Sequence, residues 1–150
     1  MTDHKFYMKK ALEQAQLSYQ ENEVPVGAVI VHKNRIISVG RNRRERSRNA
    51  LSHAEIEAIN SACKVLDSWR LIDCDIYVTL EPCPMCAGAI INSRIRKVIF
   101  GTSDLKSGSC GSVLNLFSFP YNHTPEIISG VMEIECSNIL RAFFKNLRKK

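Results

Sequence analysis

A chain of 150 residues suits one compact domain with a sizeable core, so a single domain over residues 1–150 is expected and a second catalytic domain is not. Hydrophobic residues make up 45% and charged residues 24%, which excludes the composition of intrinsic disorder. The formal charge of +6, from 21 Lys and Arg against 15 Asp and Glu, suits a polyanionic partner.

The first ten residues mix Asp3, His4, Lys5, Lys9 and Lys10 among few apolar ones, so the apolar core of a signal peptide is missing. No later stretch is long enough to span a membrane. An intracellular, cytoplasmic location is expected, where the six cysteines serve as reduced thiols or metal ligands rather than as a disulfide framework. The charge is concentrated in two places. Arg41, Arg43, Arg44, Arg46 and Arg48 crowd one segment, and Arg141, Lys145, Arg148, Lys149 and Lys150 end the chain with no acid among them. Taken alone, each run reads as a solvated surface.

Along the chain, Met8, Ala11, Leu12, Ala15 and Tyr19 recur at helical spacing, with Thr2 or Asp3 as the N-cap. Val26 to Val31, a turn at Lys33 and Asn34, and Ile36 to Val39 read as a β-hairpin. The Arg-rich segment follows as a loop. After His53, the positions Ala54, Ala58, Ala62 and Leu66 give a second helix one apolar face, and Ile76 to Leu80 reads as a buried strand closed by Glu81 and Pro82. Cys83 then stands as an N-cap with Pro84 at the first helical position, opening a third helix that runs to about Asn92. Val98 to Phe100 is another strand. The glycines at 101, 108 and 111 mark a loop, and Pro120 and Pro125 bracket a second irregular stretch. A final helix near Glu133 to Leu147 carries Ile139, Leu140, Phe143, Phe144 and Leu147. An initial hairpin followed by alternating helices and strands predicts a three-layer α/β domain built on one sheet.

Cys83 and Cys86 lie three apart at a helix start, where both sulfurs project to one side near N–H groups whose dipole favours thiolates. Such a pair alone fits a redox couple or half of a structural zinc site. His53 taken singly reads as a structural histidine, and Glu55 as a first-turn acid. The combination is more specific. His53-x-Glu55 and Pro82-Cys83-x-x-Cys86 each open a helix in a βα repeat, at the edge where open α/β sheets bind ligands. One nitrogen and two sulfurs suit tetrahedral zinc with the fourth position left for water. Glu55 is then the group that accepts the water proton and passes it on. The other cysteines, Cys63, Cys74, Cys110 and Cys136, read as buried or incidental thiols.

Val24-Pro25-Val26-Gly27-Ala28, His53-Ala54-Glu55 and the run Tyr77-Val78-Thr79-Leu80-Glu81-Pro82-Cys83-Pro84-Met85-Cys86-Ala87-Gly88 closely resemble the bacterial tRNA-specific adenosine deaminases. The likeness continues through Ser93-Arg94-Ile95, Val98 to Gly101, Gly108 to Ser112, Asn122-His123 and Phe143 to Arg148. The two metal motifs are shared with the wider cytidine deaminase superfamily, and the later segments resemble the tRNA branch. The resemblance implies a cytidine-deaminase-like α/β/α fold with a single mixed sheet. It further implies a homodimer with one zinc per chain, which converts the wobble adenosine of an arginine tRNA anticodon to inosine. Substrate contacts are implied for Asn42, Ala54 and Asp104, with Lys106, Asn122, His123, Phe144, Lys145 and Arg148 around the anticodon stem-loop. Without the resemblance, Asn42 and Asp104 read as turn residues, and Phe143 and Phe144 as the inner face of an amphipathic helix. The chain departs from the family at Asn49-Ala50-Leu51-Ser52, before the histidine, and at Pro84, between the cysteines. Neither departure removes a ligand. Within the same superfamily a small-molecule deaminase is the rival reading, against which the basic C-terminus argues. A non-catalytic zinc scaffold is the other, against which Glu55 argues.

Overall fold

The computed structural model describes residues 3–148. The first helix, α1 (His4–Gln20), starts where the Asp3 carboxylate accepts the Phe6 N–H at 3.0 Å. Thr2, the alternative cap, lies outside the described residues. Met8, Ala11 and Ala15 are buried, one turn apart, as their spacing predicts. Strands β1 (Gly27–His32) and β2 (Arg35–Arg41) pair antiparallel through Lys33 and Asn34. Both turn residues have positive φ, 50° and 63°, the mirror-image turn whose twist matches a two-residue hairpin.

The Arg-rich segment holds a short helix, α2 (Arg44–Ser47), where the sequence predicts only a loop. Helix α3 (Ala54–Leu66), strand β3 (Cys74–Leu80), helix α4 (Pro84–Ser93) and strand β4 (Lys97–Thr102) follow as predicted. The stretch between Pro120 and Pro125 is irregular, but a three-residue strand, β5 (Glu126–Ile128), comes directly after it, and α5 (Glu133–Arg148) ends the described chain. Three residues carry too little alternation to be read from sequence.

The five strands form one mixed sheet in the order β2-β1-β3-β4-β5. Only β1 runs against the rest, because it is antiparallel to both β2 and β3 while β3, β4 and β5 are mutually parallel. Successive residues of β1 therefore face different layers. Ala28 and Ile30 join Ala54, Ala58, Ala62, Ile90 and Val98 in a core beneath α3 and α4. Val29 and Val31 join Met8, Ala11, Ile99 and Cys136 beneath α1 and α5. Helices cover both faces, which gives the predicted three-layer α/β/α architecture.

Candidate active site

The carboxyl ends of β2 and β3 point to the same edge of the sheet, and α3, which comes after β2 and the short α2, and α4, which follows β3, both begin there. Gly40 of β2 lets α3 start close in: a Cβ built at that position would stand 2.1 Å from the Ala54 carbonyl oxygen. His53 and Cys83 are the N-cap residues of the two helices, and both have extended backbone. Neither side chain caps its own helix. Both are thus left to project from the sheet edge toward one another.

The three predicted ligands meet there. His53 Nδ1 lies 3.6 Å from Cys83 Sγ and 3.5 Å from Cys86 Sγ, and the three ligand atoms lie within 4.8 Å of one another. Zinc–nitrogen and zinc–sulfur bonds of about 2.0 and 2.3 Å at a tetrahedral angle place N and S about 3.5 Å apart. The spacing fits that ion. The charges point the same way. Hydrogen bonding to Cys86 and to His53, against the opposing effect of burial, pulls the Cys83 thiol down to about 4. Cys83 and burial in turn push the Cys86 thiol far above its ordinary value. Two sulfurs this close disfavour joint ionisation on their own, and a dication between them would favour both thiolates.

Glu55 sits in the first turn of α3, 4% exposed, and burial pushes its carboxyl up to about 7. Such a group can take up and release a proton near neutrality. A cavity of about 160 Å³ is lined by His53, Glu55 and Cys83 and by two rims set apart by the strand order, Asn42 and Arg44 following β2 and Asp104 and Ser107 following β4.

The MafB19-like deaminase family matches residues 2–148. The chain is 48% identical over 151 residues to the tRNA-specific adenosine deaminase of Bacillus subtilis (strain 168), covering 100% of this chain and 94% of that one. It is 49% identical to the same enzyme of Rickettsia bellii (strain RML369-C), covering 94% and 99%. The chain belongs to the tRNA-specific adenosine deaminase family. A solved structure from work on A-to-I editing by tRNA:A34 deaminases at the wobble position of transfer RNA superposes on it with a TM-score of 0.88 at 42% identity, covering 90% of this chain and 99% of that one.

Measured against what the deaminase resemblance implies, the structure gathers some residues and separates others. Ala54, buried at the start of α3, lines the cavity with Asn42 and Asp104. Both of the latter also do the turn chemistry that their residue types suggest. Asn42 donates from Nδ2 to the Val24 carbonyl at 3.1 Å, and Asp104 Oδ1 accepts the N–H groups of Lys106 and Ser107 at 3.0 and 3.2 Å. Lys106 and Phe144 meet beside the cavity in a second depression, with Arg44, Asp104 and Leu140. Phe143 turns inward and packs edge-on against Tyr19, whereas Phe144 faces out, so the two phenylalanines divide the core and surface roles. Lys145 and Arg148 are exposed on α5, and Lys149 and Lys150 lie outside the described residues.

Asn122 and His123 are not brought to this cavity. They precede β5, and His123 Nε2 contacts the Ile95 carbonyl at 2.6 Å, at the end of the sheet where β4 begins. The arginine cluster is partly offset: Arg41 and Arg46 share Glu21, and Arg43 pairs with Glu57. Leu51 and Pro84, from the two departures, line an apolar groove along α4 with Met85 and Tyr121. Sequence reasoning missed Arg44, Glu81 and Glu23. Of these Glu81 left a signal, an acid directly before the Pro-Cys of the motif.

Proposed function

We propose that this chain hydrolyses the wobble adenosine of an arginine tRNA anticodon to inosine, using one zinc per chain held by His53, Cys83 and Cys86 and a proton carried by Glu55. The observation that carries the reading is the meeting of one imidazole and two sulfurs at 3.5 to 3.6 Å beside a buried glutamate, under a cavity open to solvent. The tRNA-specific adenosine deaminases of B. subtilis and R. bellii, similar over nearly the whole chain, support the substrate.

When bound, the zinc supplies a water made acidic enough to act as a nucleophile at neutral pH. Glu55 takes a proton from that water and delivers it to the ring nitrogen beside the carbon under attack. The attacked carbon becomes tetrahedral, and Glu55 then takes the second proton from the hydroxyl now on that carbon and hands it to the exocyclic nitrogen, so that the carbon–nitrogen bond breaks, the carbonyl forms and ammonia leaves. Adenine plus water thus gives hypoxanthine plus ammonia. Asn42 and Asp104, on opposite rims, hold the base over Glu55. Lys106, Phe144, Lys145 and Arg148 receive the surrounding RNA, the aromatic ring by stacking and the bases by phosphate contact.

The second half of the reading is a cytoplasmic homodimer. The groove along α4, lined by Leu51, Ile56, Pro84, Met85, Leu116 and Tyr121, gives a second copy an apolar face to cover. Asn122 and His123, remote from their own cavity, act in the dimer, around the RNA. No helix among the described residues is long and apolar enough to cross a membrane.

Turnover on an anticodon stem-loop RNA compared with turnover on free adenosine, cytidine and guanine tests the substrate class. Inosine formed in the RNA with the free compounds untouched supports the reading. Deamination of a free base with the RNA untouched would move the chain to the small-molecule branch.

A further inference from the structure

Two buried glutamates outside the metal site do the same job on opposite sides of the cavity. Glu23 lies between α1 and β1 and is 2% exposed. Its Oε1 accepts the Glu45 N–H at 3.1 Å and its Oε2 accepts the Arg46 N–H at 2.7 Å. These amides belong to α2, the short helix that carries Arg44 on the first rim. Glu81, directly after β3, is equally buried. Its Oε1 accepts the Asp104 N–H at 3.1 Å and the Ser112 hydroxyl, and its Oε2 accepts the N–H groups of Cys110 and Ser112 at 3.0 and 3.1 Å. The loop that forms the second rim is thereby wrapped around one carboxylate. Gly108 makes the wrapping possible, since a Cβ there would stand 2.4 Å from the Glu81 carboxyl carbon.

The two anchors share a rigid base. Glu23 leads through Val24 and Val26 into β1, and Glu81 leaves β3, the strand hydrogen-bonded to β1. Each rim is therefore tied by charge-assisted hydrogen bonds to the central strands, in addition to the contacts it makes within itself. Asn42 adds to the first tie through its bond to the Val24 carbonyl. Each of the four oxygens accepts at least one loop donor, which gives both carboxylates a structural task.

We propose that Glu23 and Glu81 are paired positioning residues that fix the distance between the two rims and so set which nucleotides fit between Asn42 and Asp104. The proposal rests on the function proposed above. Glutamine in place of either glutamate keeps size and shape but offers an NH₂ group to amides that need an acceptor, so the corresponding rim comes loose.

The experiment compares wild type, Glu23→Gln and Glu81→Gln, each loaded with zinc, on two anticodon stem-loops. One is cognate and the other has a base flanking the target adenosine changed. Each variant is expected to raise KM for the cognate RNA about tenfold, the weight of one lost hydrogen bond to a charged group, while kcat falls less. The preference for the cognate over the changed RNA is expected to shrink. A variant that merely folds less completely lowers apparent kcat, with KM and the preference unchanged, and that result overturns the proposal. Amide hydrogen exchange supplies a readout independent of RNA. Protection at Asp104, Cys110 and Ser112 is expected to drop in Glu81→Gln alone, and at Glu45 and Arg46 in Glu23→Gln alone. If wild type edits neither RNA while these local losses occur, the substrate reading fails and the anchoring stands. If protection is unchanged, the anchoring fails whatever the RNA assay gives.

Discussion

His53 Nδ1 and Cys83 Sγ stand 3.6 Å apart, and each belongs to the residue immediately before the first turn of its helix. The relationship puts ligands at two helix starts without using either side chain as a cap, and it brings the amino ends of both helices to bear on one point. Thiolate charge is favoured there by the helix dipoles as well as by any bound cation.

Ligand and proton carrier separate by mutation. Cys83→Ala and Cys86→Ala are expected to lose the zinc, whereas Glu55→Ala retains one zinc per chain and loses roughly 10²- to 10⁴-fold in turnover. Metal analysis of the three folded variants checks this. Zinc lost from Glu55→Ala would make the glutamate a ligand and leave the proton transfers without a carrier.

The two rim residues differ in how much they also support the fold. Asn42 is buried and braces the Val24 carbonyl, so Asn42→Ala is expected to lose about 1 kcal/mol of stability along with editing. Asp104, half-buried, makes a local turn, and Asp104→Ala is expected to cost less stability than Asn42→Ala while editing falls at least as far. Thermal melts run beside editing rates separate the contributions. Equal activity in wild type and Asp104→Ala would reduce that residue to its turn.

The basic C-terminal segment is expected to contribute affinity rather than sequence choice. Replacing Lys145, Arg148, Lys149 and Lys150 together should weaken stem-loop binding and flatten the salt dependence, by about 0.7 to 0.9 in log–log slope for each phosphate contact removed. Parallel slopes and equal affinities across a salt series would leave the four charges as solvated surface.

Three of the four remaining thiols are expected to resist alkylation. Burial pushes Cys74 up to about 11, and Cys110 and Cys136 to about 12, so each is a neutral thiol at physiological pH. Cys63, half-buried on α3, is the one of the four with access to solvent. Mass spectrometry of zinc-loaded native protein treated with iodoacetamide should find Cys63 modified first. Early labelling of Cys110 would show that the second rim opens readily.

Much of this was legible because the information is local. Apolar spacing marks α1, α3 and α5, the Lys33-Asn34 turn marks the hairpin, and Pro84 after Cys83 marks the start of α4. The His53, Cys83 and Cys86 cluster was legible because the three residues sit in two short motifs whose helices begin at the same sheet edge. What stayed hidden depends on pairing between distant segments. β5 is a strand because Glu126, Ile127 and Ile128 lie against Lys97, Val98 and Ile99. Helix α2 is held by Glu23, over twenty residues before it, and Glu81 reads as the end of a strand until the loop at 104–112 closes around it. The arginine cluster misleads in the same way, since Glu21 and Glu57, which form ion pairs with three of its members, lie outside the run.

The most direct measurement is to incubate zinc-loaded protein with arginine tRNA and sequence the product, with Glu55→Ala as the control. Inosine should appear at the wobble position with the wild type and be absent with the variant. An unaltered wobble adenosine after exposure to active, zinc-replete protein, or inosine formed equally by Glu55→Ala, would contradict the assignment.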